Sequence, residues 1–132
     1  MLNQESTKNL KPKSQNHNLN LKTRCFIFSI KIIKLTEKLP PKKCYWIIAD
    51  QLIRSATSIG ANIAEAKGSN SKKDFTHFYQ ISLKSANESK YWLNLLIALT
   101  LTDKDELKEL LDENIQLANI LAASILTMRN KR

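Results

Sequence analysis

Few residues in this chain could perform metal-dependent chemistry, and their spacing argues against it. His77 follows Asp74 by three positions. Helical bundles that bind two metal ions use such a spacing twice, as Glu-x-x-His, together with two further carboxylates. Here the spacing occurs once and with Asp. We therefore expect no metal and no cofactor, and we interpret His77 as a surface or interface side chain.

Nucleophilic catalysis is equally unsupported by the sequence. Cys25 and Cys44 stand outside any Cys-x-x-Cys pair, and neither has a histidine placed to act as its base. The chain contains 2 Gly, Gly60 and Gly68, so it has no glycine-rich loop that could cradle a phosphate. We therefore expect reduced thiols, no active site and no enzyme activity.

The strongest chemical signal is positive charge. The 132 residues include 21 Lys plus Arg against 12 Asp plus Glu, for a formal net charge of +9. The excess lies in the N-terminal tail and the first three quarters of the chain, whereas residues 103–132 are slightly acidic. Such a charge attracts polyanions, RNA first among them, but it equally serves solubility. The candidate phosphate contacts are Lys8, Lys11, Lys13, Lys42, Lys43, Lys72 and Lys73.

Composition limits the fold that can carry these residues. Hydrophobic residues make up 42% of the chain, which is typical of a globular domain, and only 2 Gly and 3 Pro are present. A sheet protein needs more tight turns than these residues supply. Residues 1–20 show no periodicity and predict a disordered basic tail. No apolar run approaches the ~20 residues of a membrane span, so we expect a cytoplasmic protein without membrane contact.

Hydrophobic spacing of three and four residues predicts four helices after the tail, over residues 21–39, 43–67, 71–101 and 103–129. The connections between them are short, so sequential helices should pack antiparallel. The predicted fold class is therefore all-α, with one antiparallel up-down-up-down four-helix bundle over residues 21–132.

Residues that typically start or end helices lie at these boundaries. Pro40-Pro41 should end the first helix, because proline cannot continue a helix and disfavours a helical residue before it. Gly68 should cap the second helix, and Ser71 should open the third in a sequence like a capping box. Gly60 interrupts the apolar seam of the second helix at a cost of ~1 kcal/mol relative to Ala, which indicates close approach of another backbone.

A row of polar residues lies beside the apolar seam of the second helix. Arg54, Ser58, Asn62 and Glu65 are spaced by four, four and three residues, and Glu88 follows a run of small residues in the third helix. Charges beside a seam are costly unless they are paired. One interpretation is a network that fixes helix register, with Arg54 on a carboxylate and Asn62 bridging to Glu65 or Glu88. The alternative is a polar patch that binds a partner.

These same residues resemble a known family. Residues 54–66 read RSATSIGANIAEA, and they are similar to the signature Arg-Ser/Ala-x-x-Ser-Ile-x-x-Asn-Ile-Ala-Glu-Gly of the 23S rRNA intervening-sequence protein family. That family is also called the four helix bundle protein family. Residues 72–75 and 82–92 resemble its second block, and the match covers roughly residues 21–130. Ala66 stands where the family usually has Gly, a change that a helix should tolerate.

The resemblance implies a four-helix bundle that assembles into a homopentamer and has no known enzyme activity. Members resemble proteins encoded in insertions within bacterial 23S rRNA genes. A related bundle is the accessory protein of diversity-generating retroelements, a basic pentamer that associates with a reverse transcriptase and with nucleic acid. By this analogy the basic surface would hold structured RNA, although fold alone does not carry function.

Two functional hypotheses follow. The first is an RNA-binding or ribonucleoprotein-accessory module that does not read bases, because the sequence shows no aromatic stacking platform among its basic residues. The second is a protein-interaction scaffold without nucleic acid, whose subunit interface is built by exposed apolar residues of the first helix with Tyr45 and Trp46. Salt separates the two, because only RNA affinity should fall steeply as salt rises.

Overall fold

Four helices make up nearly all of the part of the chain that the structure describes. The structure is a computed structural model and describes residues 19–99 and 104–131. The helices are α1 (Leu21–Thr36), α2 (Lys43–Lys67), α3 (Lys72–Leu99) and α4 (Lys104–Asn130). Within those ranges there is no strand, and the predicted all-α four-helix bundle is confirmed. Residues 1–18 of the predicted tail lie outside the described residues, and so do residues 100–103, which include the predicted end of the third helix and the predicted start of the fourth.

Each helix packs on its sequence neighbour, and α4 returns to pack on α1, so the four helices form a closed ring. Cross-helix hydrogen bonds show that neighbours run antiparallel. Tyr45, at the start of α2, reaches the carbonyl of Leu99 at the end of α3, and Thr76, early in α3, reaches the sulfur of Met128 late in α4. None of the four helices has the length and apolar character needed to cross a membrane.

Most of the described helix ends lie at capping residues. The side chain of Asn20 caps α1 by accepting from the Thr23 amide at 2.8 Å. The Ser71 hydroxyl accepts from the Asp74 amide at 3.1 Å at the start of α3, and Gly68 is the C-cap of α2. The end of α1 is the exception. It lies at Thr36 rather than residue 39, because the chain tightens into turns before the two prolines.

The core is built from leucine and isoleucine of all four helices with one aromatic ring. Its largest fully buried apolar side chains are Phe28, Ile32, Leu35, Leu52, Ile59, Ile63, Leu93, Leu96, Leu107, Leu117 and Leu121. At 16 residues, α1 is shorter than the other helices, which have 25, 28 and 27 residues. At ~1.5 Å per residue it is roughly 15 Å shorter than α2, so it flanks only part of the bundle.

Gly60 of α2 lies against the start of α1. A Cβ at this position would lie 3.1 Å from the Cβ of Cys25 and 3.7 Å from its carbonyl carbon. The predicted close approach of another backbone is therefore confirmed, and the approaching segment is the start of α1. Glycine is used here because any larger side chain would meet a neighbour that is itself buried.

Serines line the contact between α2 and α3. Small side chains let the two helices approach, and their hydroxyls then need partners because the contact excludes water. Three serines of α3 supply hydrogen bonds across it: Ser82 to the Ile59 carbonyl at 2.8 Å, Ser85 to Ser58 at 2.9 Å, and Ser89 to Ser55 at 2.8 Å. These bonds fix the register of α3 against α2.

A buried ion pair joins α1 to α4. Arg24 donates to the two carboxylate oxygens of Glu113 at 3.1 and 2.6 Å, and also to the amide oxygen of Gln116 at 2.9 Å. The exposed fractions of Arg24 and Glu113 are 5% and 8%. Arg24 is one of the 21 Lys and Arg residues that make the chain positively charged. In the structure its charge is neutralised by Glu113 inside the bundle.

Candidate nucleic-acid interface

The up-down topology brings several cations to one end of the bundle. At this end α2 finishes, α3 begins and α4 finishes, so residues that are far apart in sequence become neighbours. We name this region the basic end and define it by five exposed residues: Lys67, Lys72, Lys73, Arg129 and Lys131. The ammonium group of Lys72 donates to the carbonyl of Lys131, which ties the chain after α4 to the first turn of α3.

A groove opens at the basic end between the first turns of α3 and the last turns of α4. Its cavity volume is about 640 Å³, and it contains a single acidic residue, Asp74, in the first turn of α3. A carboxylate at that position is stabilised by the positive end of the helix dipole. The lining residues are Lys72, Lys73, Asp74, Thr76, His77, Gln80, Met128 and Arg129. The groove therefore offers a phosphate several cationic and polar donors.

The other predicted phosphate contacts lie elsewhere. Lys42 and Lys43 are exposed at the start of α2, which is the opposite end of the bundle from Lys72 and Lys73. The opposite end also carries acidic residues, and one of its cations, Lys38, is 2.9 Å from the carboxylate of Glu106. The tail candidates Lys8, Lys11 and Lys13 lie outside the described residues. The predicted cations thus do not form one patch within a protomer.

The polar row of the family signature is arranged differently from the network predicted for it. Asn62 donates to the carbonyl and hydroxyl of Ser58, at 2.8 and 2.9 Å, because an amide one turn along reaches back to its own helix. It does not bridge to Glu65 or Glu88, so that expectation was wrong. Ser58 also receives the hydrogen bond from Ser85 of α3, so it is the polar centre of the contact between the two helices.

The charged members of the row face solvent. Arg54 and Glu88 are both exposed and line a groove of about 510 Å³ between α2 and α3. Glu88 accepts from the indole N–H of Trp92 at 3.0 Å, one turn away on its own helix. Arg54 makes no ion pair with any carboxylate of residues 19–99 or 104–131, so the expected contact from Arg54 to a carboxylate is not formed there.

The two predicted interface aromatics have different surroundings. Tyr45 is half-buried against the core and donates its hydroxyl to the carbonyl of Leu99 at 3.2 Å, so much of its surface is used within the chain. Trp46 is 64% exposed, and its neighbour Ile47 is 54% exposed. A subunit contact through this surface stays a prediction, with Trp46 rather than Tyr45 as the available ring.

The two cysteines have different surroundings. Cys25 is fully buried, and burial raises the pKa of its thiol to about 12, with a further contribution from the nearby carboxylate of Glu113. A thiol at such a pKa stays protonated and unreactive at neutral pH. Cys44 is exposed. In the described ranges, His, Cys, Asp and Glu form no group of three or more that could hold a metal ion.

A closed ring of four antiparallel helices with a cationic end defines the class of protein as a basic helical bundle. Within that class the family can be given. The family model described as 23S rRNA-intervening sequence protein matches residues 17–123, and the chain belongs to this family. The resemblance drawn from the signature residues is thereby confirmed for the family. The relation to the accessory protein of diversity-generating retroelements stays a prediction.

A solved structure agrees with this assignment. The chain is similar to a crystal structure from Bacteroides thetaiotaomicron, described as a protein with unknown function from the S23 ribosomal protein family. The two share 32% sequence identity with a TM-score of 0.74, and the match covers 80% of this chain and 98% of the other. Comparison with curated proteins gives no significant match.

Proposed function

We propose that this protein is a non-enzymatic RNA-binding module of the cytoplasm that holds structured RNA at its basic end. The observation that carries the proposal is the clustering of exposed cations where α2 ends, α3 begins and α4 ends. RNA phosphates are the natural ligand for such a cluster, because each contact releases counterions from the nucleic acid. Assembly into a homopentamer, which the family resemblance implies, would multiply the charge presented to one RNA.

The uneven distribution of acidic residues supports the basic end over the opposite end. The first turn of α4 carries Asp105 and Glu106, and Glu37 follows α1 at the same end of the bundle. Lys42 and Lys43 lie at this same end of the bundle. At the basic end Asp74 is the one acidic residue that lines the groove between α3 and α4, and Glu65 is exposed two positions before Lys67. The description of the family, which names the 23S rRNA intervening sequence, is consistent with an RNA ligand.

The test is the binding of a stem-loop RNA to the full chain over a range of salt concentrations. We expect affinity to fall steeply with salt, with log K decreasing by ~0.7–0.9 per log unit of salt for each phosphate contact. The variant Lys73→Ala/Arg129→Ala should weaken binding and reduce that slope. The matched control is Lys42→Ala/Lys43→Ala, which removes the same charge from the opposite end and should change both quantities less.

The outcomes are distinct. Equal losses of RNA affinity in the two double variants would show that RNA does not prefer either end of the bundle. That result would overturn the assignment of the basic end. Absence of RNA binding at low salt would overturn the RNA-binding proposal itself. The net charge of +9 would then serve solubility.

A protein-interaction scaffold is the second candidate, and the exposure of Trp46 and Ile47 favours it. Large apolar side chains that protrude side by side are typical of the central part of protein interfaces. Such a contact would be insensitive to salt, unlike RNA binding. A partner that is retained at high salt by the full chain and lost in Trp46→Lys would support this candidate.

A further inference from the structure

A second groove lies near the basic end, between α1 and α2. Its cavity volume is about 900 Å³. The residues that line it are Asn20, Lys22, Thr23, Phe26, Ser29, Thr57, Gly60, Ala61, Ala64 and Lys67. None of them is acidic, and two are lysines. One of these, Lys67, also belongs to the basic end, so the groove continues the cationic surface along the side of the bundle.

Phe26 is unusual among the aromatic residues of α1 because it is 42% exposed, whereas Phe28 is fully buried. Lys22 precedes Phe26 by four residues, and side chains at that spacing lie on the same face of a helix. An ammonium group and an aromatic ring therefore stand one helical turn apart beside the same groove. The sequence alone showed no aromatic stacking platform among the basic residues, because the exposure of Phe26 depends on how α1 packs on α2.

The α2 side of the groove consists of small residues. Gly60, Ala61 and Ala64 have no side-chain atoms beyond Cβ, so they leave open the space beside the Phe26 ring. Gly60 also lets the two helices approach, since its position faces Cys25 at the base of the contact. The result is a shallow apolar floor next to an exposed ring, which suits a flat apolar group.

The polar groups of the groove select the charge of the ligand. The hydroxyls of Ser29 and Thr57 donate to carbonyls of their own helices, at 3.0 and 2.7 Å, so their protons are already used. Lys22 and Lys67 make no ion pair with any carboxylate of the described ranges. The two ammonium groups are thus the principal donors, and the complementary ligand pairs a flat apolar ring with an anionic group.

From this combination we infer that the groove between α1 and α2 is a subsite for unpaired RNA. One base would stack on Phe26, and its flanking phosphates would contact Lys22 and Lys67. Stacking of a base on an aromatic ring, with lysines along the backbone, is how proteins bind single strands without reading sequence. A base inside a duplex cannot reach such a ring, so the subsite takes a loop or bulge nucleotide. The inference rests on the proposed RNA-binding function and adds a preference for unpaired nucleotides.

The test compares two RNAs with the full chain and with variants of Phe26. The probes are a stem-loop carrying 2-aminopurine in its loop and a perfectly paired duplex of the same stem. Phe26→Leu removes the ring but keeps an apolar side chain, and Phe26→Tyr keeps the ring. Tyr91→Leu is the matched control, because Tyr91 is a 61% exposed aromatic outside this groove.

We expect the wild-type protein to bind the stem-loop more tightly than the duplex and to quench the loop fluorophore. Phe26→Leu should weaken stem-loop binding by about 5- to 150-fold, which corresponds to the loss of one stacked base, and should abolish the quenching. It should leave duplex binding unchanged. Phe26→Tyr and Tyr91→Leu should behave like the wild type, and all variants should unfold at a similar temperature.

Equal binding of stem-loop and duplex, unchanged by Phe26→Leu, would overturn the subsite and leave the proposed RNA-binding function standing. A Phe26→Leu variant that loses both RNAs equally would also overturn it, because the ring would then have no role specific to unpaired nucleotides. Failure of the wild-type protein to bind either RNA at low salt would instead overturn the proposed function.

Discussion

The guanidinium of Arg24 and the carboxylate of Glu113 form a two-bond ion pair inside the bundle, at 3.1 and 2.6 Å. It fastens the short helix α1 to α4. Breaking a buried pair by removing one partner typically costs about 3–5 kcal/mol, because the other charge is left without compensation. We expect Arg24→Met to destabilise the protein by about this amount in urea unfolding.

The double variant tests the physical reason for that loss. Replacing both members, as Arg24→Met/Glu113→Leu, removes the uncompensated charge and should recover most of the stability. Equal stability of Arg24→Met and the wild type would show that the pair contributes nothing to the fold. Lys38→Met is a suitable surface control. It removes a cation that pairs with Glu106 while half-exposed, and such pairs are worth about 0–1 kcal/mol.

Gly60 should tolerate little enlargement. A Cβ there would stand 3.1 Å from the Cβ of Cys25, and a branched side chain would add atoms against the start of α1. Overpacking of this kind costs about 1–3 kcal/mol, so Gly60→Val should lower the free energy of unfolding by that amount. Gly68→Ala is the matched control. Its new Cβ would be 3.7 Å from the nearest atom, an ordinary contact, so its stability should be close to that of the wild type.

The buried thiol of Cys25 should make the free energy of unfolding fall as the pH rises through the alkaline range. Burial raises the pKa of Cys25 from 9.0 to about 12. Between these values the folded state keeps the proton and the unfolded state loses it. The stabilisation is therefore complete below pH 9.0 and is lost as the pH rises toward about 12.

We expect the unfolding free energy of the wild type to fall relative to Cys25→Ala by up to about 1.4 kcal/mol per pH unit in this range. Taking the difference from that variant removes the titration of the lysines, which both proteins share. Thiol labelling gives an independent check. A maleimide at neutral pH should modify the exposed Cys44 at once and Cys25 only after unfolding. Parallel pH curves for the two proteins would contradict the prediction.

Sequence reasoning predicted the elements of this fold well because they depend on local signals. Ser71 and Gly68 marked helix ends, since each acts within a turn of its own position. The sequence could not supply pairings across long separations. Gly60 indicated a close contact but not its partner Cys25. The pairing of Arg24 with Glu113 was not predicted, because the two residues are 89 positions apart and nothing near Arg24 reveals that α4 lies beside it.

The candidate site shows the same limit. The apolar spacing of α1 does not distinguish Phe26 from the buried residues of that helix, and its exposure follows from where α1 rests on the small residues of α2. Asn62 was expected to bridge to Glu65 or Glu88, whereas its amide finds an acceptor one turn back at Ser58 on its own helix. Lys72 and Arg129 are far apart in sequence and become neighbours because α3 and α4 pack antiparallel.

Trp46 provides the last prediction, which concerns assembly. The side chain is 64% exposed beside Ile47, and an apolar surface of this kind is stable in water when another subunit covers it. If the protein assembles through this surface, burying a lysine there would leave an uncompensated charge, so Trp46→Lys should dissociate the oligomer to smaller species in light scattering. Tyr91→Lys makes a similar change at an exposed aromatic on α3 and should leave the mass unchanged. An unaltered oligomer in Trp46→Lys would remove this residue from the interface and direct the search to Ile33, an exposed apolar residue of α1.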